Sequence, residues 1–230
     1  MANQNIDVPR FYTDLVAYHR ARGSAVGTIK SDISNTLPAL SGSADELFDL
    51  RPLNQVTFDT GSNTTKHVLV NIGFTTASYR QNYIAIMNHN LATAKGKIRV
   101  FAGNLASDIE ALDGAGVDIT DPDTDAEWGN ITTTEVVNAD NINNASGLKS
   151  VVIEPSADGT TIIKISEKNL RYWAIQFEGS FSASANSGVG GVNQGGSGTN
   201  TWGSTDLRVG GIMIGEYFDM PHAPDINLTR

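Results

Sequence analysis

Hydrophobic and polar positions alternate along most of the chain from about residue 47 onward. Apolar and polar side chains alternate in Gln55 to Asp59 and in Lys66 to Ile72. Both segments are rich in β-branched and aromatic residues, which is typical of strands. Further segments of this kind are Asn82 to Asn88, Lys97 to Ala102, Ile131 to Val137, Lys149 to Ile153, Thr160 to Ile165, Arg171 to Phe177 and Leu207 to Phe218. The pattern predicts about nine short strands.

Three of these segments carry a more specific expectation. Apolar residues occupy both faces of Asn82 to Asn88, so this strand should be central and covered on both sides. Lys97 to Ala102 alternates charged and apolar residues, which predicts a half-exposed strand. Gly210 and Gly211 interrupt the last segment and indicate a bulge or a close approach of another backbone.

The predicted strands are joined by turn-rich loops with almost no helix between them. Parallel strands would need helical crossovers, so the pairing should be antiparallel. The predicted fold class is therefore all-β, an antiparallel β-sandwich or jelly roll with a short N-terminal arm that contains a helix.

The N-terminal segment differs from the rest of the chain. Asp14 is placed to cap a helix over Leu15 to Arg22, and Gly23 is placed to end it. The following residues, up to about 40, are mostly turn formers and are predicted to be a linker. We therefore divide the chain into an N-terminal arm, residues 1–40, and a β-sandwich domain, residues 41–230.

Apolar side chains in the arm suggest a partner surface. The arm is too short to form its own core, so its apolar residues are expected to dock on a neighbouring subunit. These assembly residues are Phe11, Tyr12, Leu15 and Tyr18.

Two loops, 106–130 and 180–206, are too long to be plain connections. Loops of this length inside a compact domain are usually functional or disordered. Trp202, with Asn200 close by, is the large aromatic residue of the second loop. An aromatic face beside an amide suits contact with a ligand or a partner, but Trp202 could equally pin the loop to its own domain.

Charge and composition narrow the classes of partner. The 230 residues carry 25 acidic and 16 basic side chains, a net charge of −9, which argues against nucleic-acid binding. The absence of cysteine rules out disulfides and thiolate metal sites. No run of apolar residues is long enough to span a membrane, and the N-terminus does not resemble an export signal.

One acidic cluster imitates a calcium loop. Asp121, Asp123 and Asp125 alternate in the first long loop. Ala126 stands where the turn would need glycine, so a solvated acidic turn is favoured over a calcium site. The histidines show no metal-ligand spacing, and we predict no metal site and no cofactor.

Catalytic motifs are not evident in the sequence. There is no nucleophile elbow and no phosphate-binding loop. His89 lies between apolar and amide residues at a strand end, where a structural role is favoured over proton transfer. We predict no catalytic residues and no enzymatic activity, with a hydrolase whose acids meet only in three dimensions as the open alternative.

Three segments resemble a known family. They are Asn82 to Gly103, Asn169 to Gly179 and Leu207 to Pro221, the first with a His-Asn-Leu turn at residues 89–91 and the last flanked by glycine before an aromatic residue and proline. They resemble the discoidin-like, galactose-binding-type jelly rolls of structural proteins in tailed bacteriophages. The resemblance spans about residues 47 to 225.

The resemblance implies a β-sandwich that binds or packs and performs no chemistry. We expect a virion protein that forms a homo-oligomer, contacts other virion proteins through the arm and exposes its loops to a host glycan. A tail- or fibre-associated adhesion role is preferred over capsid decoration. The alternative from another class is a free carbohydrate-binding, lectin-like module. No ligand site can be carried over residue by residue.

Overall fold

A computed structural model gives the fold of the chain. It describes residues 9–23, 26–31, 39–61, 66–72, 79–104, 133–143, 152–179 and 202–220. Within these ranges the chain forms fourteen β-strands, two short α-helices and one 3-10 helix. No helix in the described ranges is long and apolar enough to cross a bilayer.

The elements follow one another in this order. They are β1 (Arg10–Tyr12), α1 (Leu15–Ala21), β2 (Val26–Ser31), the 3-10 helix (Glu46–Phe48), β3 (Val56–Phe58), β4 (Lys66–Asn71), β5 (Gln81–His89), α2 (Leu91–Ala94), β6 (Lys97–Gly103), β7 (Thr133–Val137), β8 (Ala139–Asn143), β9 (Val152–Pro155), β10 (Gly159–Lys168), β11 (Tyr172–Glu178), β12 (Leu207–Val209), β13 (Gly211–Gly215) and β14 (Tyr217–Asp219).

Two antiparallel sheets dominate the fold. One has the order β13-β5-β10-β7 and the other β2-β4-β11-β6-β9-β8, and two-stranded ribbons β1-β14 and β12-β3 complete the set. Side chains from both large sheets, among them Ile84, Ile163, Val70 and Trp173, belong to one hydrophobic core. The predicted all-β antiparallel fold is confirmed.

Strand β5 lies between β13 and β10 and is buried on both faces, as its sequence predicted. Strand β6 departs from the prediction, because it is buried along nearly its whole length rather than half exposed. It lies between β11 and β9, and its charged residue Arg99 is buried together with Glu178 of β11. Pairing of the two charges makes that burial tolerable.

The described parts of the N-terminal arm, among them residues 9–23 and 26–31, are joined to the rest of the domain. Strand β1 pairs with β14, Val16 of α1 lies in the core, and β2 pairs along its full length with β4. The division at residue 40 therefore does not separate a packed domain from a linker, since Val16 of α1 is buried in the core of its own chain. Asp14 caps α1 as predicted, and Gly23 follows with a φ of 75°.

The last predicted segment is divided at its glycines into β12, β13 and β14. A Cβ on Gly210 would lie 1.9 Å from the carbonyl oxygen of Pro52, so only glycine allows the loop before β3 to approach this closely. The predicted close backbone approach is thus present. Strands β2 and β8 were not predicted, because β8 has few β-branched or aromatic residues and β2 stands among glycine, serine and other turn formers.

Candidate functional site

Strands β1 and β14 form a two-stranded sheet that we call the aromatic ribbon. Its register pairs Arg10 with Asp219, Phe11 with Phe218, and Tyr12 with Tyr217. Because side chains alternate between the faces of a strand, the two phenylalanines share one face and the other four residues share the opposite face. The ribbon therefore has an all-phenylalanine face and a polar-aromatic face.

The phenylalanine face is open to solvent. Phe11 is 50% exposed and Phe218 is 48% exposed. Their ring centroids lie 6.3 Å apart with an angle of 30° between the ring planes, so the rings are close to parallel neighbours. Adjoining exposed apolar side chains mark contact surfaces more often than single ones do, so this pair is a candidate contact surface.

The opposite face of the ribbon packs on the domain. Tyr12 meets Tyr83 of β5 edge-on, with centroids 4.8 Å apart. The ring of Tyr217 has the Arg10 guanidinium 4.5 Å from its centroid and the Lys164 ammonium at 5.5 Å. Cation–π contacts from two side chains therefore hold this ring in place.

Two ion pairs border the same face. Arg10 binds Asp219 through two hydrogen bonds, with Nη2 2.8 Å from Oδ2, and Lys164 pairs with Glu135. The Arg10 guanidinium keeps the pKa of Asp219 below its ordinary value, while burial lowers the pKa of Lys164. Asp219 stays half exposed, so its carboxylate also remains accessible from solvent.

Thr13 anchors the ribbon to the sandwich. Its backbone N–H donates to the carbonyl of Glu216 at 2.9 Å, and its carbonyl accepts the Tyr83 hydroxyl at 2.6 Å. A Cβ on Gly215 would lie 2.0 Å from that carbonyl oxygen, so glycine is required beneath Thr13. These contacts fix the position of the phenylalanine pair with little conformational freedom left to lose on binding.

Asp14 continues the anchor into α1. Its Oδ1 accepts the backbone N–H groups of Val16 at 2.9 Å and Ala17 at 3.1 Å. Its Oδ2 is buried and has no hydrogen-bond partner. Burial raises the pKa of Asp14 to about 6, although the two backbone donors act in the opposite direction.

The structure places the residues expected to make assembly contacts on two different elements. Phe11 and Tyr12 belong to the aromatic ribbon, whereas Tyr18 lies on α1, where it is 43% exposed. The Tyr18 ring lies 6.4 Å from that of Tyr79 and carries the Arg22 guanidinium 4.7 Å from its centroid. Leu15 is only partly buried and packs against the edge of the core.

Trp202 is a core residue in the structure. It is 5% exposed, and a Cβ on Gly96 would collide with both its ring and Leu91. Of the two roles left open for Trp202, the structure shows the packing of the ring on its own domain, because its face is covered by the turn after α2. Asn200 and the acidic residues Asp121, Asp123 and Asp125 lie outside the described residues.

The His-Asn-Leu turn has a structural role. Leu91 N–H donates to His89 Nδ1 at 3.2 Å, so Nε2 carries the proton and donates to Thr161 Oγ1 at 2.9 Å. Burial lowers the pKa of His89 to about 4. Asn90 joins the turn to the start of β12 by bonding the carbonyl of Asp206 at 2.8 Å and the N–H of Arg208 at 2.6 Å.

A buried polar cluster lies on the six-stranded sheet and was not predicted. Arg99 Nε donates to Glu178 Oε1 at 2.9 Å, and Gln176 Nε2 donates to Glu178 Oε2 at 2.9 Å. Burial raises the pKa of Glu178, and the Arg99 charge opposes that shift. Alternation alone places these residues on an outward face, so the sequence carried no signal that the face would be covered.

Within the described ranges, no group of three or more His, Asp or Glu residues is arranged to hold a metal ion. The titratable residues with clearly shifted pKa values are engaged in capping, turn or strand contacts. Within the described surface, the phenylalanine face of the ribbon brings two exposed aromatic rings together.

Comparisons with known proteins find similar solved structures but no similar sequence. No family model and no curated protein sequence matches the chain. Chitosan-binding module 1 of a chitosanase/glucanase from Paenibacillus sp. IK-5 has a TM-score of 0.43 and 11% identity, covering 89% of this chain and 100% of its own. The structure CpGH89CBM32-5 from Clostridium perfringens, in complex with GalNAc-beta-1,3-galactose, has a TM-score of 0.45 and 8% identity, covering 89% and 100%.

The C-terminal domain of a chitobiase from Bacteroides fragilis gives a TM-score of 0.41 at 8% identity, covering 86% of this chain and 95% of its own. None of these three descriptions names a bacteriophage protein.

Proposed function

We propose that this chain is a non-catalytic carbohydrate-binding domain and that Phe11 and Phe218 form its sugar-contacting surface. The observation that carries the proposal is the exposure of these two rings, held side by side at 6.3 Å by a fixed strand register. A sugar presents an apolar C–H face that stacks on an aromatic ring, and its hydroxyl groups need polar partners at the rim.

The rim of the ribbon offers such partners. Asp219 and Arg10 lie one residue from the phenylalanines, and the Asp219 side chain is half exposed. An ionised carboxylate has about four acceptor sites, of which Arg10 uses two. The remaining acceptor capacity of Asp219 suits sugar hydroxyl groups that reach around the edge of the ribbon.

A screen of a glycan panel followed by titration calorimetry tests this proposal. The Phe11→Ala/Phe218→Ala variant should bind the best glycan roughly tenfold more weakly or worse, because each aromatic contact contributes about 1 kcal/mol beyond the area it buries. Leu53→Ala is the matched control, since Leu53 is 91% exposed and outside the ribbon. A panel without binding, or equal affinity of both variants, would refute the proposal.

A second candidate is a structural protein of a tailed-phage virion that binds another virion protein through the N-terminal segment. The exposure of Tyr18 on α1, with Arg22 stacked on its ring, favours it, because tyrosine and arginine are enriched at the centres of protein interfaces. A tail- or fibre-associated position remains our preference within this candidate, ahead of capsid decoration.

The two candidates separate in one experiment. In the virion role, Tyr18→Ser should reduce incorporation of the protein into particles while glycan affinity stays unchanged. Particles imaged with a label on the C-terminus would then show its location. Full incorporation of Tyr18→Ser, or absence of the label from purified particles, would contradict the virion role.

A further inference from the structure

The hydrogen bonds at the ends of the aromatic ribbon fix which backbone groups face outward. Met220 N–H donates to the carbonyl of Pro9 at 3.0 Å, and Thr13 N–H donates to the carbonyl of Glu216 at 2.9 Å. Hydrogen-bonded pairs alternate with non-bonded pairs along an antiparallel ladder, so Phe11 and Phe218 form the bonded pair between them. The backbone groups of Arg10 and Tyr12 on β1 consequently point away from β14.

The outer edge of β14 is closed by a side chain. The Asn82 amide donates from Nδ2 to the carbonyl of Tyr217 at 3.2 Å, and its Oδ1 accepts the Tyr217 N–H at 2.7 Å. This amide satisfies the outward backbone groups of Tyr217 in the way that a neighbouring strand would. Strand β14 therefore offers no free edge at its first residue.

No such closure is seen at the outer edge of β1 within the described ranges. Among the residues that the structure describes, β1 pairs with β14 alone. Phe11 and Tyr12 at this edge are exposed, so solvent and other molecules reach it. An unpaired strand edge with exposed aromatic residues is a template for the addition of another strand.

We propose that a second copy of this chain pairs with β1, strand to strand and antiparallel, about a two-fold axis through Phe11. In that register Phe11 faces the partner's Phe11, and Arg10 faces the partner's Tyr12. The outward backbone groups of Arg10 and Tyr12 then form the bonded pairs, and Phe11 occupies the non-bonded position where side chains approach most closely.

The chemistry of β1 fits its own copy better than an arbitrary strand. The sequence Arg-Phe-Tyr read antiparallel to itself sets a cation opposite an aromatic ring on each side and an aromatic ring opposite an aromatic ring in the centre. No like charges face each other. A two-fold interface requires this self-complementarity, because each residue and its partner exchange places.

The pairing would also extend the surface assigned to ligand binding. Two ribbons joined through β1 form four strands in the order β14, β1, β1 and β14, with four phenylalanines in a row on one face. The dimer itself does not depend on carbohydrate binding, since it uses the edge of β1. The strands are three residues long, so we expect a concentration-dependent equilibrium rather than a permanent dimer.

Sedimentation velocity on the full chain over a wide concentration range tests the dimer. The wild-type protein should gain weight-average mass with concentration, and Phe11→Lys and Phe11→Asp should each remain monomeric because like charges would meet across the axis. An equimolar mixture of the two variants should dimerise again. Leu53→Lys and Leu53→Asp are the matched controls and should behave as the wild type.

Disulfide trapping gives a second measurement. The chain has no cysteine, so Phe11→Cys introduces a single thiol. Directly opposed residues at a non-bonded position lie about 4.5 Å apart between Cα atoms, within the range that a disulfide spans. Oxidation should yield a covalent dimer of Phe11→Cys and not of Leu53→Cys. A monomeric wild type at all concentrations, a mixture that stays monomeric, or equal cross-linking of both cysteine variants would overturn the proposal, whatever the glycan panel shows.

Discussion

The Arg99 guanidinium and the Glu178 carboxylate form an ion pair at 2.9 Å in which the two side chains are 3% and 1% exposed. Their strands, β6 and β11, are adjacent in the centre of the six-stranded sheet. A charge removed from such a pair leaves its partner buried without compensation. This pair is therefore a point at which a small chemical change should strongly affect the stability of the fold.

Glu178→Gln should lower the free energy of unfolding by about 3 to 5 kcal/mol, because Arg99 stays charged and buried. Glu154→Gln is the matched control. It breaks the partly exposed Lys97–Glu154 pair, whose atoms lie 3.7 Å apart, and should cost at most about 1 kcal/mol. Urea unfolding at neutral pH measures both. Equal losses of unfolding free energy in the two variants would show that burial does not make the Arg99–Glu178 pair more important for stability than an exposed pair.

Asp14 should make the protein less stable as the pH rises from about 4 to 6. Its folded pKa of about 6 exceeds its ordinary value of 3.8, so the folded state binds the proton more tightly, and the associated stability is complete below the lower value. The difference corresponds to about 3 kcal/mol. Asp14→Asn keeps an N-cap residue and should remove this dependence, which thermal unfolding across the pH range measures. An unchanged profile would contradict a raised pKa.

His89 should act in the opposite direction over nearly the same range. Its pKa falls from 6.5 to about 4, so its contribution is complete above pH 6.5 and is lost as the pH falls toward 4. In the wild type, the effects of Asp14 and His89 on the pH dependence of stability oppose each other. The stability of Asp14→Asn should therefore fall steeply in acid, and that of His89→Gln should rise. Unfolding curves in which both variants keep the wild-type slope would refute the two assignments together.

Adjacent glycines should respond differently to alanine. Gly210→Ala should destabilise the fold by about 1 to 3 kcal/mol, because the new Cβ meets the Pro52 backbone at 1.9 Å. Gly211→Ala should cost less, since its near contact is the flexible end of Met87 at 2.9 Å. Chemical unfolding of the two variants provides the comparison. The reverse order of stability would mean that the loop containing Pro52 can move away.

Local patterns in the sequence predicted much of the fold. Alternation located β5, β10 and β11, and the sequence Asp14 to Gly23 located α1 and its caps. The features that were not predicted depend on contacts with residues distant in sequence. The burial of Arg99 needs cover over the outward face of its sheet, and α1 packs on β13, which lies near the other end of the sequence. Neither leaves a trace in nearby residues.

The candidate site was half visible in the sequence. Phe11 and Tyr12 were singled out as apolar residues in a short segment, but Phe218 was taken as the end of a longer strand. Phe11 and Phe218 come together only because β1 pairs with β14, although the two residues are 207 positions apart in the sequence (218 − 11). For Trp202 the sequence left binding and packing open, because a lone aromatic residue in a loop suits both.

The central claim is that the phenylalanine face of the aromatic ribbon contacts carbohydrate. Aromatic NMR signals of Phe11 and Phe218, followed during titration with the glycan that binds best in the panel, test it most directly. Both rings should shift in a saturable manner with one common dissociation constant, while the buried ring of Trp202 stays unchanged. Saturable shifts that exclude both phenylalanines would contradict the account.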